Sequence, residues 1–124
     1  MIHLHNLNRL YKELQPALEN IQDSVFKSGQ VMLGEFTKEF EQRIANIAGT
    51  GYAAVVGSGS DALMYSLIAE NISDKVAIPA QTYIATRNSV CRAGSEPVCV
   101  DVNADGLLNW DLIPNTVDFV VWVG

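Results

Sequence analysis

The chain is poor in the features that announce a special environment. It has only two cysteines, Cys91 and Cys99, eight positions apart and with no histidine or further cysteine at a zinc-ligand spacing, which argues against a disulfide-stapled secreted module and a thiolate metal site. They read as reduced packing residues of a cytoplasmic protein. Positive charge is scarce. Eight Lys and Arg face fourteen Asp and Glu, a formal charge of −6, and no basic block is present to meet duplex DNA or an anionic bilayer. Nucleic acid and membrane are therefore not expected partners. No run approaches the roughly 18–20 consecutive apolar residues of a membrane span, and His3, His5, Asn6, Asn8, Arg9, Lys12 and Glu13 interrupt the first twenty positions. His3 and His5 lack a third ligand and read as a solvated pair rather than a metal site.

What the chain does have is core material. With 124 residues, 48% hydrophobic and 18% charged, it fits one globular domain and not a disordered segment. Leu7, Leu10, Leu14, Leu18, Ile21 and Val25 recur at helical spacing, and Pro16 predicts that this stripe divides into a short helix near residues 7–14 and a longer one from about 16 to 27. Ser28-Gly29 supplies the stop. After a short link holding Gly34, a second amphipathic helix carries Phe36, Phe40, Ile44, Ile47 and Ala48, and Gly49-Thr50-Gly51 closes it.

From residue 52 the pattern changes to short apolar runs alternating with helices. Strands are expected at 52–56, 75–79, 97–102 and 117–123, with helices at 60–70 and 82–93. Strands alternating with ten-residue helices imply βαβ units, hence an α/β fold with a mostly parallel sheet whose strands are buried on both faces. The final run, Asp118 to Gly124, has no following helix, so the sheet reads as unfinished.

One turn has the chemistry of an anion site. Val56-Gly57-Ser58-Gly59-Ser60-Asp61-Ala62-Leu63 runs from a strand through a Gly/Ser turn into a helix. Glycines let backbone approach a ligand closely, and N–H groups at a helix start, with the Ser60 hydroxyl, suit a phosphate. The same residues also serve a plainer purpose: Ser58 or Ser60 caps the helix and the glycines turn the chain. No Gly-Lys-Ser/Thr follows and the third glycine of a dinucleotide fingerprint is missing, so this is not an ordinary nucleotide fold. A second strand-to-helix junction, Pro79-Ala80-Gln81-Thr82-Tyr83-Ile84-Ala85-Thr86, places Tyr83 at the carboxyl edge of the sheet. Its ring there either stacks on a flat heteroaromatic ligand or forms a wall of the core. Asp105-Gly106 reads as a turn, Trp110 as a packing aromatic, and Arg87 and Arg92 as surface residues, with Arg87 the one kept in view for the site.

Five blocks in order resemble the N-terminal part of the DegT/DnrJ/EryC1/StrS nucleotide-sugar aminotransferases, pyridoxal phosphate enzymes of fold type I. They are residues 27–34 (KSGQVMLG), Phe40-Glu41, residues 58–63 (SGSDAL), 79–86 (PAQTYIAT) and 94–101 (GSEPVCVD). The resemblance implies a three-layer α/β/α architecture, here an incomplete large domain: one domain over 1–124, with N-terminal helices at 1–51 and the βαβ portion at 52–124. It implies that Gly59, Ser60 and the Asp61 backbone hold the phosphate of pyridoxal 5′-phosphate and that Tyr83 stacks against its ring. The family more often has threonine at Ser60, a change that keeps the hydroxyl. Residues 29–34 resemble a loop near the substrate end, and Asp101 a structural aspartate.

The departures bear on activity. Transamination needs a lysine amine and a carboxylate on the ring nitrogen, and the family carries both beyond the stretch matched here. Lys12, Lys27, Lys38 and Lys75 are expected on helix surfaces or at a strand's amino end. Where the family has a proline and a histidine in its fourth strand, this chain has Phe119 and Val121. The resemblance therefore implies the N-terminal part of an aminotransferase that passes an amino group from an amino acid, typically glutamate, to a nucleotide-linked keto sugar. The chain alone is not expected to turn over. Two alternatives stand beside this: a non-catalytic binding or assembly module, and one half of a split enzyme completed by a second chain. A homo-oligomer or a complementing chain is the expected partner, since an open sheet edge invites pairing.

Overall fold

The first apolar stripe forms one continuous helix, α1 (Leu7–Ser28), in a computed structural model that describes residues 6–123. His3 and His5 lie outside the described residues. The two pieces expected from Pro16 are thus corrected to one. A proline inside a helix leaves the carbonyl four residues earlier without its partner. Pro16 is on an exposed part of α1, where water can take up the Lys12 carbonyl, so the helix continues. Asn6 caps the start, its Oδ1 accepting from Arg9 N at 3.0 Å. Gly29 ends the helix with φ +69°, a left-handed conformation that glycine adopts without strain.

The described residues fall into two compact units, divided in sequence between Val55 and Val56. In the first, Gly34 caps α2 (Glu35–Ala48), and a Cβ there would meet Gln30 O at 2.8 Å, so only glycine fits this close approach. The strand expected at 52–56 does not form: the segment is irregular, and Tyr52 is 94% exposed. Its hydrogen bonding goes elsewhere. Val55 N donates to Glu41 Oε1 of α2 at 2.9 Å rather than to a neighbouring strand, and no sheet strand pairs with it among the described residues.

The second unit is a parallel α/β sheet. Helix α3 (Gly59–Ala69) leads to β1 (Lys75–Pro79), then to α4 (Ile84–Arg92), β2 (Glu96–Val100), a 3₁₀ turn (Trp110–Leu112) and β3 (Phe119–Val120). Strand order is β2-β1-β3, all parallel; Val76 faces Pro97 on one side and Phe119 on the other. This is the α/β class with a parallel sheet that the alternation of strands and helices implies. The strands at 97–102 and 117–123 are shorter than expected, and α4 begins at Ile84 rather than residue 82.

Two apolar clusters hold the sheet. On the helical side Leu67, Val76, Ile78 and Val90 are buried together, joined by Ile72, Ala93 and Val121. Ala77, Val100 and Leu108 make the other cluster, with Val98, Ile113, Val117 and Val120 against it. Among the described residues that second cluster is closed by the connection from β2 to β3, not by a helix of its own. Only β1, between its two neighbours, is buried along nearly its whole length; β2 and β3 are not, which corrects the expectation of burial on both faces of every strand. Cys91, Cys99 and Trp110, expected as packing residues, are exposed. Cys99 stands on an edge strand, and the inward positions of α4 are taken by Thr86, Ser89 and Val90. No described helix is long and apolar enough to cross a membrane.

Candidate functional site

Strand β1 hands its chain to α4 on one face of the sheet, while β2 hands its chain over the other face to β3, on the far side of β1. Adjacent parallel strands whose connections leave on opposite faces open a crevice at their carboxyl ends, the usual ligand position in such sheets. The loop from Pro79 to Tyr83 emerges there, pinned by Ala80 N donating to Val100 O at 2.8 Å. Tyr83 sits immediately before α4 in extended conformation and is 77% exposed. It is not a wall of the core. Thr86 N reaches back to Tyr83 O at 2.9 Å, and the Thr82 and Thr86 hydroxyls lie 3.1 Å apart, so local bonds fix the loop below the ring.

The Gly/Ser turn opens α3. Ser58 is its cap: Oγ accepts the Asp61 N–H at 3.1 Å and donates its own proton to Asp61 Oδ2 at 2.9 Å. The structural role suggested for Ser58 is therefore real, and it engages one of the N–H groups expected to face a phosphate. Gly59 N and Ser60 N make no hydrogen bond among the described residues, nor does the Ser60 hydroxyl. These donors lie at the positive end of the helix dipole. The space beside Gly59 is open, since an added Cβ would meet no atom within 4 Å. Donor chemistry and room at Gly59 and Ser60 both fit a phosphoryl group.

Sequence reasoning missed two residues that tie α4 to this turn. Ser89 is buried, and its Oγ lies 2.9 Å from Ser60 O and 2.8 Å from Ala85 O. Arg92 Nη1 reaches Asp61 Oδ1 at 3.2 Å. Arg87, the arginine kept in view for the site, is exposed and makes no ion pair among the described residues, whereas Arg92 bridges the two helices. Serine on an inward helix position and an arginine closing that helix were the available signals, but only packing shows which carbonyl and carboxylate they meet.

Lys75 begins β1 at the end opposite Tyr83, and Lys12, Lys27 and Lys38 are exposed on α1 and α2 of the first unit. Asp101 follows β2 and bonds its own turn, Oδ1 accepting from Val102 N at 2.8 Å and its carbonyl from Asn109 N at 3.1 Å, a structural duty. In the first unit, Val31, Met32 and Leu33 are exposed, and Leu33 has φ +52°. No cluster of three potential metal ligands exists among the described residues.

A sequence profile of the DegT/DnrJ/EryC1/StrS aminotransferase family matches residues 13–118. A pleiotropic regulatory protein of Geobacillus stearothermophilus is 34% identical over 100 residues, covering 79% of this chain and 27% of that protein. The UDP-2-acetamido-2-deoxy-3-oxo-D-glucuronate aminotransferase of Pseudomonas aeruginosa is 30% identical over 105 residues, covering 83% of this chain and 29% of the enzyme. The crystal structure of S. venezuelae DesV in complex with a ketimine intermediate superposes with a TM-score of 0.84 at 31% identity, over 93% of this chain and 33% of that one. The chain thus spans between 27% and 33% of the length of these proteins.

Proposed function

Because the chain belongs to the DegT/DnrJ/EryC1/StrS aminotransferase family, we propose that it supplies the phosphate-binding and ring-facing part of a pyridoxal-phosphate-dependent aminotransferase. In this reading the whole protein moves an amino group from an amino acid, with glutamate the expected donor, to a keto sugar carried on a nucleotide. Residues 52–124 form the start of the cofactor-binding large domain and residues 1–51 its N-terminal helices. The two exposed, unpaired cysteines suit a reducing cytoplasm.

The observation that carries the proposal is the open start of α3. Gly59 N–H, Ser60 N–H and the Ser60 hydroxyl hold the phosphate, and the Asp61 N–H joins them when the Ser58 side chain turns away. Tyr83 offers its exposed ring to one face of the heterocycle. When bound, the cofactor supplies the electron sink that lets an amino group and a carbonyl oxygen change places. The residues described here bind and orient. The second unit's one lysine, Lys75, begins β1 at the end opposite Tyr83, and the family carries its reactive lysine beyond the stretch matched here, so residues 1–124 on their own are proposed to be inactive, the reactive amine coming from elsewhere in the protein or from a second chain. The nucleotide sugar and an oligomeric partner are proposed on the same footing.

Titrating the purified chain with pyridoxal 5′-phosphate and with pyridoxal tests the site. Saturable binding that is lost without the phosphate, and weakened several-fold by Ser60→Ala, supports it. Equal binding of both compounds overturns the phosphate assignment. Amino transfer from glutamate to a nucleotide-linked keto sugar by residues 1–124 alone overturns the proposed inactivity.

A further inference from the structure

Asp61 stands in the first turn of the helix whose N–H groups face the proposed phosphate. A carboxylate there favours the helix, because it lies at the positive end of the dipole. It also places a fixed negative charge one residue after Ser60, where it repels any anion the turn would hold. The side chain is 29% exposed, so water screens it only in part.

Arg92 offsets that charge. Its Nη1 lies 3.2 Å from Asp61 Oδ1, across 31 positions of sequence. The other four ion pairs among the described residues join residues three or four apart on one helix; this one alone joins two elements. The same carboxylate accepts from Ser58 through its second oxygen, so guanidinium, carboxylate, cap hydroxyl and Asp61 N–H form one chain of bonds. Ser89, buried between the helices and 2.9 Å from Ser60 O, keeps α4 registered against the turn.

We propose that Arg92 is a positioning residue for phosphate recognition: by neutralising Asp61, it lets the start of α3 accept a phosphoryl group without an uncompensated carboxylate beside it. This rests on the phosphate-binding reading of Gly59 and Ser60. A charge effect of this kind is specific to an anionic ligand, is reversed by removing the charge it offsets, and fades with salt.

The test compares wild type, Arg92→Gln, Arg92→Lys and the double variant D61N/R92Q in the full protein, measuring dissociation constants for pyridoxal 5′-phosphate and for pyridoxal at low and high salt. Arg92→Gln is expected to weaken pyridoxal 5′-phosphate roughly three- to tenfold at low salt, the effect of one exposed unit charge several ångströms from a dianion. Pyridoxal binding stays level, Arg92→Lys recovers most of the loss, and D61N/R92Q returns to within about twofold of wild type. Should Arg92→Gln fail to fold, Arg92→Lys and D61N/R92Q still decide the matter. Equal weakening of both ligands, or a double variant as weak as Arg92→Gln, overturns the proposal and leaves a merely structural pair. If wild type shows no preference for the phosphorylated ligand, the failure lies with the phosphate site itself.

Discussion

Leu108→Ala measures how the sheet is covered on the side away from α3 and α4. Leu108 is 1% exposed and packs with Ala77 of β1 and Val100 of β2, so the connection between β2 and β3 is anchored on it. Truncation removes three carbons, about 2–2.5 kcal/mol of transfer free energy at ~0.8 kcal/mol each. The cavity left behind adds to this. Val98, Ile113, Val117 and Val120 around it are only partly buried and can settle inward, which places the cost near the low end of the measured Leu→Ala range, about 3 kcal/mol. The neighbouring Leu107 is 38% exposed, and Leu107→Ala serves as control at under about 1 kcal/mol. Both tryptophans of the chain, Trp110 and Trp122, lie in this unit, so urea unfolding followed by their fluorescence reports on it directly. Equal midpoints for the two variants, or a loss below about 1 kcal/mol for Leu108→Ala, would show that the segment merely rests on the sheet and that the second cluster does not hold it.

Pro16→Ala should strengthen α1 by about 1–3 kcal/mol, since it restores a missing N–H in a helix that already runs through the site; circular dichroism and amide exchange along α1 would rise in helicity and protection, and an unchanged helix would refute the reading. Lys38 has its pKa raised above the ordinary lysine value, first by the hydrogen bond to Glu35 and then by the charge of that carboxylate, with Nζ 2.7 Å from Oε1. A raised folded-state value means that the contact contributes below the ordinary lysine pKa and is lost as pH rises through the folded one. NMR titration of the Lys38 side chain should show the midpoint falling in Glu35→Gln; identical midpoints would remove Glu35 as the cause.

How much was legible in the sequence follows from the range of each interaction. Strand 75–79 and the start of α3 were readable because a run of apolar residues and a Ser-Gly-Ser turn are local signals, and the structure keeps both. Pro16 misled because the local rule assigns the break without knowing that the residue is exposed to water. Residues 52–56 misled in the opposite way: their composition suits a strand, but a strand exists only where a neighbour supplies the ladder, and here Glu41 takes the Val55 N–H. Arg92 could not be chosen over Arg87 from spacing, because its partner Asp61 lies 31 positions earlier.

By itself the sequence determined the helical stripes, the stops at Gly29 and Gly49, the alternation that makes an α/β sheet, and the five ordered blocks of the aminotransferase family, all encoded within a few residues of one another. Tertiary structure alone decided that β3 docks beside β1, that a connection rather than a helix covers one cluster among the described residues, that Ser58 occupies the Asp61 N–H, and that Ser89 and Arg92 brace the turn. Each of these joins residues through geometry that only packing creates, because a carbonyl or a carboxylate does not choose its partner until the surrounding apolar surface has brought the candidates within reach.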